Sequence, residues 1–337
     1  MNKKELVIQA ITFKSPDRPP IYFRSDPERS DIVQVPYYSP TNFVNAENTR
    51  DELGCVWNNV IGTGVGYVTR HPLEDWAAFE TYSLPDPRLS SRYTEIENAV
   101  RKYPDKFVVA AIGLSGFSLM TVLRGFENIL SDLYLNPELV SKLAKQVFDY
   151  ETAVIEETAR RGADGVFFFD DWGTERNLFI KPALWRQFFK PLYAAQFQRI
   201  HALGMRAFFH SCGCVWEMIP DMIEIGVDVL NLEQMLVFSS GTQTGYGRLR
   251  QEFGGKVCFT VNVDTQRTLI NGTPEEIKKE IQHIFRTFDL PEGGTIIFAD
   301  AGKDHNIVPT QNLLLVEQLF QEKIRNFPVH DKQLIYA

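Results

Sequence analysis

Behind about residue 106 the chain alternates short apolar runs with longer amphipathic stretches, a rhythm that predicts strands each followed by helix. Strands are expected at Phe107 to Ile112, Gly165 to Phe169, Met205 to Phe209, Val227 to Leu230, Lys256 to Val261 and Thr295 to Phe298. Helices are expected from the first of these to about Arg161, then at Pro182 to Leu203, Cys214 to Ile225, near Gly247 to Phe253, Pro274 to Phe288 and Pro309 to Asn326. Short apolar strands alternating with helices suit a parallel sheet buried on both faces and built from βαβ units.

Residues 12 to 106 read differently. Prolines at 16, 19, 20, 27, 36, 40, 72, 85 and 87 interrupt aromatic segments, which favours extended pieces and short turns over long helices. Pro20 to Phe23, with either Gly54 to Asn58 or Gly66 to Thr69, supplies two more strands. Eight strands favour an α/β fold of the (β/α)8 TIM type over an open doubly wound sheet. The expectation is one barrel domain over residues 1–337, with 1–106 holding an N-terminal elaboration and the first strands. No Gly-x-Gly-x-x-Gly turn follows a strand, and the run Gly62 to Gly66 precedes no convincing helix, so no dinucleotide loop is expected.

Composition narrows the partners. The 337 residues carry a net charge of -8 with Lys and Arg scattered, which argues against nucleic acid and membrane surfaces and leaves a small-molecule substrate or a protein. The apolar stretch Leu6 to Ile11 is too short for a signal sequence or a membrane span, so a cytoplasmic protein is expected. Four cysteines, at 55, 212, 214 and 258, make no disulfide framework, but two of them stand beside a histidine.

Ligands of parallel α/β folds sit beyond the carboxyl ends of the strands. Reading those positions gives Asp170, Asp171 and Trp172, then His210 to Cys214, Asn231, Glu233 and Gln234, Asn262 and Asp264, and finally Asp300, Lys303, Asp304 and His305. Tyr22, Arg24 and Asp26 join them from the first strand. His210 and Cys212 leave one strand two residues apart, so an imidazole and a thiolate could reach one ion, and soft sulfur with imidazole selects zinc. Glu233, Asp300 and His305 are the candidates for a third ligand, with Cys214 close by. Without a metal, His210 would bond a carboxylate and Cys212 would fill space. Asp170 and Asp171 point oppositely along the backbone, so one can face the pocket as acid, base or partner of His210 while the other caps a loop. Cys258 lies inside an apolar run and is expected in the core.

Several segments carry a family likeness: DRPPIYFR, DELGCVW, HPLEDW, FFDDWGTE, FKPLYAAQFQRIHALGMRAFFHSCG, IPDMIEIGVDVLNLEQ, VDTQRTLINGTPEEI and HNIVPTQN. Over nearly its full length the chain resembles the uroporphyrinogen decarboxylase superfamily. The resemblance implies a (β/α)8 barrel with its site at the carboxyl-terminal mouth. True decarboxylases of this kind follow their first strand with Met-Arg-Gln-Ala-Gly-Arg, whose arginines hold the acidic side chains of a tetrapyrrole. Here the stretch runs from Tyr22 to Arg29, keeps only Arg24 and Arg29, and adds Asp26 and Glu28, which would repel that substrate.

The chain is closer to the branch of zinc-dependent methyltransferases that serve a corrinoid protein. Members with a His-x-Cys strand end use it to hold zinc, which His210-Ser211-Cys212 matches. The later cysteine that completes the site in thiol-methylating members would fall near Gly302 and is absent. The segment from Asp170 to Gly173 is similar to methyltransferases of O-demethylase systems, which move methyl groups from aryl methyl ethers to a corrinoid. The resemblance thus implies zinc and a corrinoid on a partner protein; the strand-end reading gives Asp170, Asp171 and His210 as catalytic candidates and Tyr22, Arg24, Trp172, Asn231 and Asn262 as substrate contacts. Val261 to Asp264 replaces the family's Gly-Gly-Ile-Asp and implies a bulkier floor. A metal-independent decarboxylase of another acid, and a barrel that only binds a small ligand, are the alternatives.

Overall fold

The computed structural model describes residues 2–37, 50–58, 66–288, 291–302 and 307–327. Its strands are β1 (Ile21–Tyr22), β2 (Ile32–Pro36), β3 (Val56–Asn58), β4 (Tyr67–Arg70), β5 (Phe107–Ile112), β6 (Gly165–Phe169), β7 (Arg206–His210), β8 (Val229–Asn231), β9 (Cys258–Val261) and β10 (Thr295–Phe298). Eight of them, in the order β1-β10-β9-β8-β7-β6-β5-β2, form one parallel sheet that curls into a nearly closed (β/α)8 barrel. Side chains complete the ring where β1 meets β2. Asp31 accepts the Ile21 N–H at 2.8 Å and returns its own N–H to the Ile21 carbonyl at 2.8 Å, while Ser30 Oγ accepts the Phe23 N–H at 3.0 Å.

The six strands expected behind residue 106 all form, and Pro20 to Phe23 supplies β1. The eighth strand is β2, not Gly54 to Asn58 or Gly66 to Thr69, which fall on β3 and β4 of a separate antiparallel pair. The physical reason is burial. A barrel strand is covered on both faces, and Ile32, Val33 and Val35 are, whereas Tyr67 is 57% exposed.

Period-two alternation sorts each strand between two cores. In β7, Ala207 and Phe209 pack outward against the helices, while Phe208 points inward with Phe107, Phe167, Val229, Cys258, Ile296 and Phe298. Cys258 is thus a core residue, as its apolar run implied. Each phenylalanine buried this way contributes about 2 to 3 kcal/mol. The helix Lys3–Ile11 inserts Val7 and Ile11 into the same interior, and Gly294, just before β10, donates its N–H to Ala10 O at 2.7 Å. That end of the barrel is plugged. The opposite end, where the strands terminate in polar residues, is where ligands can enter.

Among the described residues no helix is long and apolar enough to cross a membrane.

Candidate functional site

His210 is the last residue of β7 and stands two positions beyond Phe208, so the alternation that buries Phe208 aims the imidazole into the barrel mouth. In register across the sheet, Phe169, His210, Asn231 and Thr260 form one transverse row. His210 Nδ1 lies 2.5 Å from Asn231 Oδ1, and Asn231 Nδ2 donates in turn to Thr260 Oγ1. With the Asn231 amide nitrogen committed to Thr260, its oxygen accepts from a protonated Nδ1, which leaves the Nε2 lone pair facing the mouth.

Cys212 follows on a turn whose tightness the sequence explains. Gly213 has φ +80°, and a Cβ there would stand 2.2 Å from Gly173 O. The turn is tied to the loop after β6 by Cys214 N–H donating to Thr174 O at 2.7 Å. Cys212 Sγ is thereby held 3.4 Å from His210 Nε2. Burial, with Asp171 and Glu233 adding negative charge nearby, pushes its thiol pKa up.

The two adjacent aspartates separate completely. Asp171, half exposed, places Oδ1 3.5 Å from His210 Nε2 and accepts the Cys212 N–H at 2.8 Å. Asp170 is fully buried and turned the other way. It accepts from the N–H groups of Phe117 at 3.0 Å and Ser118 at 2.7 Å, from Trp172 Nε1 at 3.2 Å, and from the Tyr193 hydroxyl. It thus caps the helix Gly116–Arg124 from a distant part of the chain. Burial pushes its carboxyl up to about 7 in spite of the four donors. The Asp171 N–H donates back to Ser118 Oγ at 3.0 Å, so the cap also fixes where Asp171 begins.

The other expected site residues scatter. Trp172 is wholly buried against Phe117, at 4.4 Å between ring centroids, and against Trp185 and Phe189, so it lines no pocket. Asn231 touches His210 rather than the mouth. Asn262 spends Nδ2 on the carbonyls of Glu233 and Val263, and its buried Oδ1 has no partner among the described residues. Tyr22 stacks on Phe298 at 4.8 Å and donates to Gln34 Oε1, while the Arg24 guanidinium lies 5.8 Å over the Phe298 ring. Asp300 accepts the N–H groups of Arg24 at 2.7 Å and Ser25 at 2.8 Å, which occupies its carboxylate with the β1 turn. His305, Asp304 and Lys303 lie outside the described residues, as does most of the Gly62 to Gly66 run.

Sequence reasoning sought the third ligand in Glu233, Asp300 or His305. Among the described residues, the group of His, Cys, Asp and Glu whose ligand atoms all fall within 4.8 Å of one another is Asp171, His210 and Cys212. A tetrahedral zinc with bonds of about 2.0 to 2.3 Å holds its donors roughly 3.3 to 3.8 Å apart. The 3.4 Å and 3.5 Å separations around His210 Nε2 match that spacing, and three donors leave a fourth position open. Gln234, one of the strand-end candidates, also belongs to the site, as does Ser118, which sequence reasoning missed. Ser118 lies six residues past the end of β5, in the first turn of the helix Gly116–Arg124, where the strand-end rule does not reach.

Against this geometry stand three comparisons. A sequence model of the family described as Uroporphyrinogen decarboxylase (URO-D) matches residues 50–321. The uroporphyrinogen decarboxylase of Actinobacillus succinogenes is 23% identical over 262 residues, covering 74% of this chain and 70% of that protein. That of Methylococcus capsulatus is 26% identical over 278 residues, covering 78% and 70%. Among solved structures, a methyltransferase from Methanosarcina mazei is similar with a TM-score of 0.70 at 17% identity, covering 96% of this chain and 99% of that one. At that identity the likeness is one of fold.

Proposed function

The chain belongs to the uroporphyrinogen decarboxylase (URO-D) family, and from that premise we propose that it is a zinc-dependent methyltransferase. It takes a methyl group from a small methylated compound, an aryl methyl ether by preference, to a corrinoid carried by a partner protein. The observation that supports this reading best is the Asp171, His210 and Cys212 cluster at the barrel mouth, with nitrogen, sulfur and oxygen donors within 4.8 Å of one another. Zinc held there would supply Lewis acidity toward an ether oxygen.

The residues have separable tasks. When a methyl–oxygen bond breaks, its electron pair stays on oxygen, so the departing phenolate needs positive charge or a proton beside it. His210, its tautomer set by Asn231, presents the Nε2 lone pair as a ligand to the metal that would supply that charge; Asp171, half exposed, gives the cluster its open side. Phe169, partly exposed with its ring 5.1 Å from the imidazole, offers aromatic surface to a flat substrate.

A metal-independent decarboxylase is the second reading, favoured by what the curated relatives are. A polyacidic tetrapyrrole suits this mouth poorly. Of the two arginines after β1, Arg29 is bound to Glu317 at 2.8 Å and stacked 4.3 Å over Phe23. The deciding experiment is elemental analysis of protein purified without chelators or a metal-affinity tag, followed by methyl transfer from aryl methyl ethers to a reduced corrinoid. About one zinc per chain, lost in Asp171→Ala, His210→Ala and Cys212→Ala without unfolding, is the expected result. Metal content unchanged in all three variants, or no metal even after reconstitution, overturns the proposal in favour of the decarboxylase.

A further inference from the structure

The end of β8 sends two neutral amides, three residues apart, to two different donors of the cluster. Asn231 holds His210, as described. Gln234 reaches over to Cys212: its Nε2 donates to Sγ at 3.3 Å, and its Oε1 accepts the Gly213 N–H at 2.7 Å. One amide therefore spans the turn that carries the thiol and contacts the sulfur itself. A hydrogen bond into sulfur draws charge from it, and at the Gly213 end the same side chain restrains the backbone that aims it.

We infer that Gln234 is a positioning residue for Cys212, tuning the sulfur as a metal ligand rather than touching substrate. The inference rests on the metal reading of the cluster. Glu233, one of the three candidates for a third ligand, stands beside a residue that acts on the ligand. The neutrality of Gln234 matters as well. Asp171 and Glu233 already crowd the sulfur with negative charge, and an amide adds a donor without adding more.

Cobalt(II) is the probe, because a thiolate bound to it gives a sulfur-to-metal charge-transfer band that reports on the sulfur directly. Wild type is expected to bind cobalt and show the band. Gln234→Met, close in size but with no N–H, is expected to move that band to lower energy and to weaken cobalt binding about tenfold. Circular dichroism and the thermal midpoint establish that the variant is folded. In a Cys212→His background, where nitrogen replaces the sulfur and three ligands are kept, the same substitution is expected to change cobalt affinity less than twofold. A merely structural role would persist in that background. An unchanged band and affinity in folded Gln234→Met, with wild type binding normally, overturns the inference. Absence of binding to wild type overturns the metal reading instead.

Discussion

Glu151 offers a sharp test of how the barrel's buried charges are arranged. It lies in the helix Pro137–Arg160, wholly buried, where Oε1 accepts the Gly116 N–H at 2.6 Å and Oε2 accepts from Gln196 Nε2 at 2.9 Å. Burial pushes its carboxyl from an ordinary 4.5 up to about 8. The native protein then keeps this proton up to about pH 8, whereas the unfolded chain releases it near 4.5. The resulting stability is fully present below the unfolded value and is lost as pH rises through the native one. At about 1.4 kcal/mol per pH unit where the two states differ by a full proton, the loss between pH 6 and pH 9 comes to about 2 to 3 kcal/mol. For a chain of this size that is roughly 3 to 4 °C in thermal midpoint. Glu151→Gln removes the titration at small structural cost. Gln196 Oε1 is buried without a partner among the described residues and can accept from the new amide, giving up only a 3.4 Å bond to Phe148 O. Thermal or urea unfolding of both proteins between pH 6 and pH 9 at constant ionic strength is the assay. The variant is expected to trail wild type slightly at pH 6 and to overtake it by pH 9. Asp170 titrates in both proteins, so its share largely cancels. Parallel pH profiles would refute the reasoning, since they would mean that Glu151 is ionised in the native state throughout.

Three further outcomes follow from geometry. Gly213→Ala places a Cβ 2.2 Å from Gly173 O at a φ of +80° and is expected to cost about 3 kcal/mol or more and to displace Cys212; Gly204→Ala, at φ +78° with nothing within 4 Å, should cost only about 1 to 2 kcal/mol. Comparing urea midpoints of the two variants checks this, and equal losses would show that the close contact is not the cause. Asn231→Leu removes the acceptor of His210 Nδ1 and is expected to weaken zinc binding about 10- to 100-fold, read by competition with a chromophoric chelator. Cys258→Ala, in the barrel interior, should cost about 1 to 2 kcal/mol in urea and leave metal content unchanged.

The barrel was legible because its strands are apolar on both faces, so runs such as Val108 to Ile112 and Val166 to Phe168 announce themselves without knowledge of their neighbours. The error came at β2, which lies in the proline-rich front and ends on Pro36. Its pairing with β5 rests on a partner 75 residues along the chain, Ile32 against Phe107, and no local signal reports that. The site was legible by the same strand-end logic as far as His210, Cys212 and Asp171. Asp300 meets the same rule, yet a carboxylate just beyond a strand can serve a ligand or the backbone of the next strand's turn. Only the positions of the Arg24 and Ser25 N–H groups distinguish the two.

The aspartate pair shows why adjacency in sequence carries so little about shared function. Strand geometry sends neighbouring side chains to opposite faces, and at the end of β6 one face is the mouth while the other is the layer of helices. A carboxylate on the helix side is buried, and burial is tolerable there because the start of the helix Gly116–Arg124 supplies N–H groups that lack partners within the helix. That cap explains the residue facing it. Gly116 sits at φ +48°, and a Cβ on it would come 2.3 Å from Asp170 Oδ2 and 2.5 Å from the Tyr193 hydroxyl. Glycine at 116, aspartate at 170 and tyrosine at 193 therefore answer one packing requirement. By meeting it they hold the backbone of residue 171, whose N–H is fixed on Ser118 Oγ while its carboxylate faces His210. The buried aspartate contributes to the site by placing its neighbour. For that reason substitutions at 170 are expected to act first on stability, and substitutions at 171 first on what the mouth can bind.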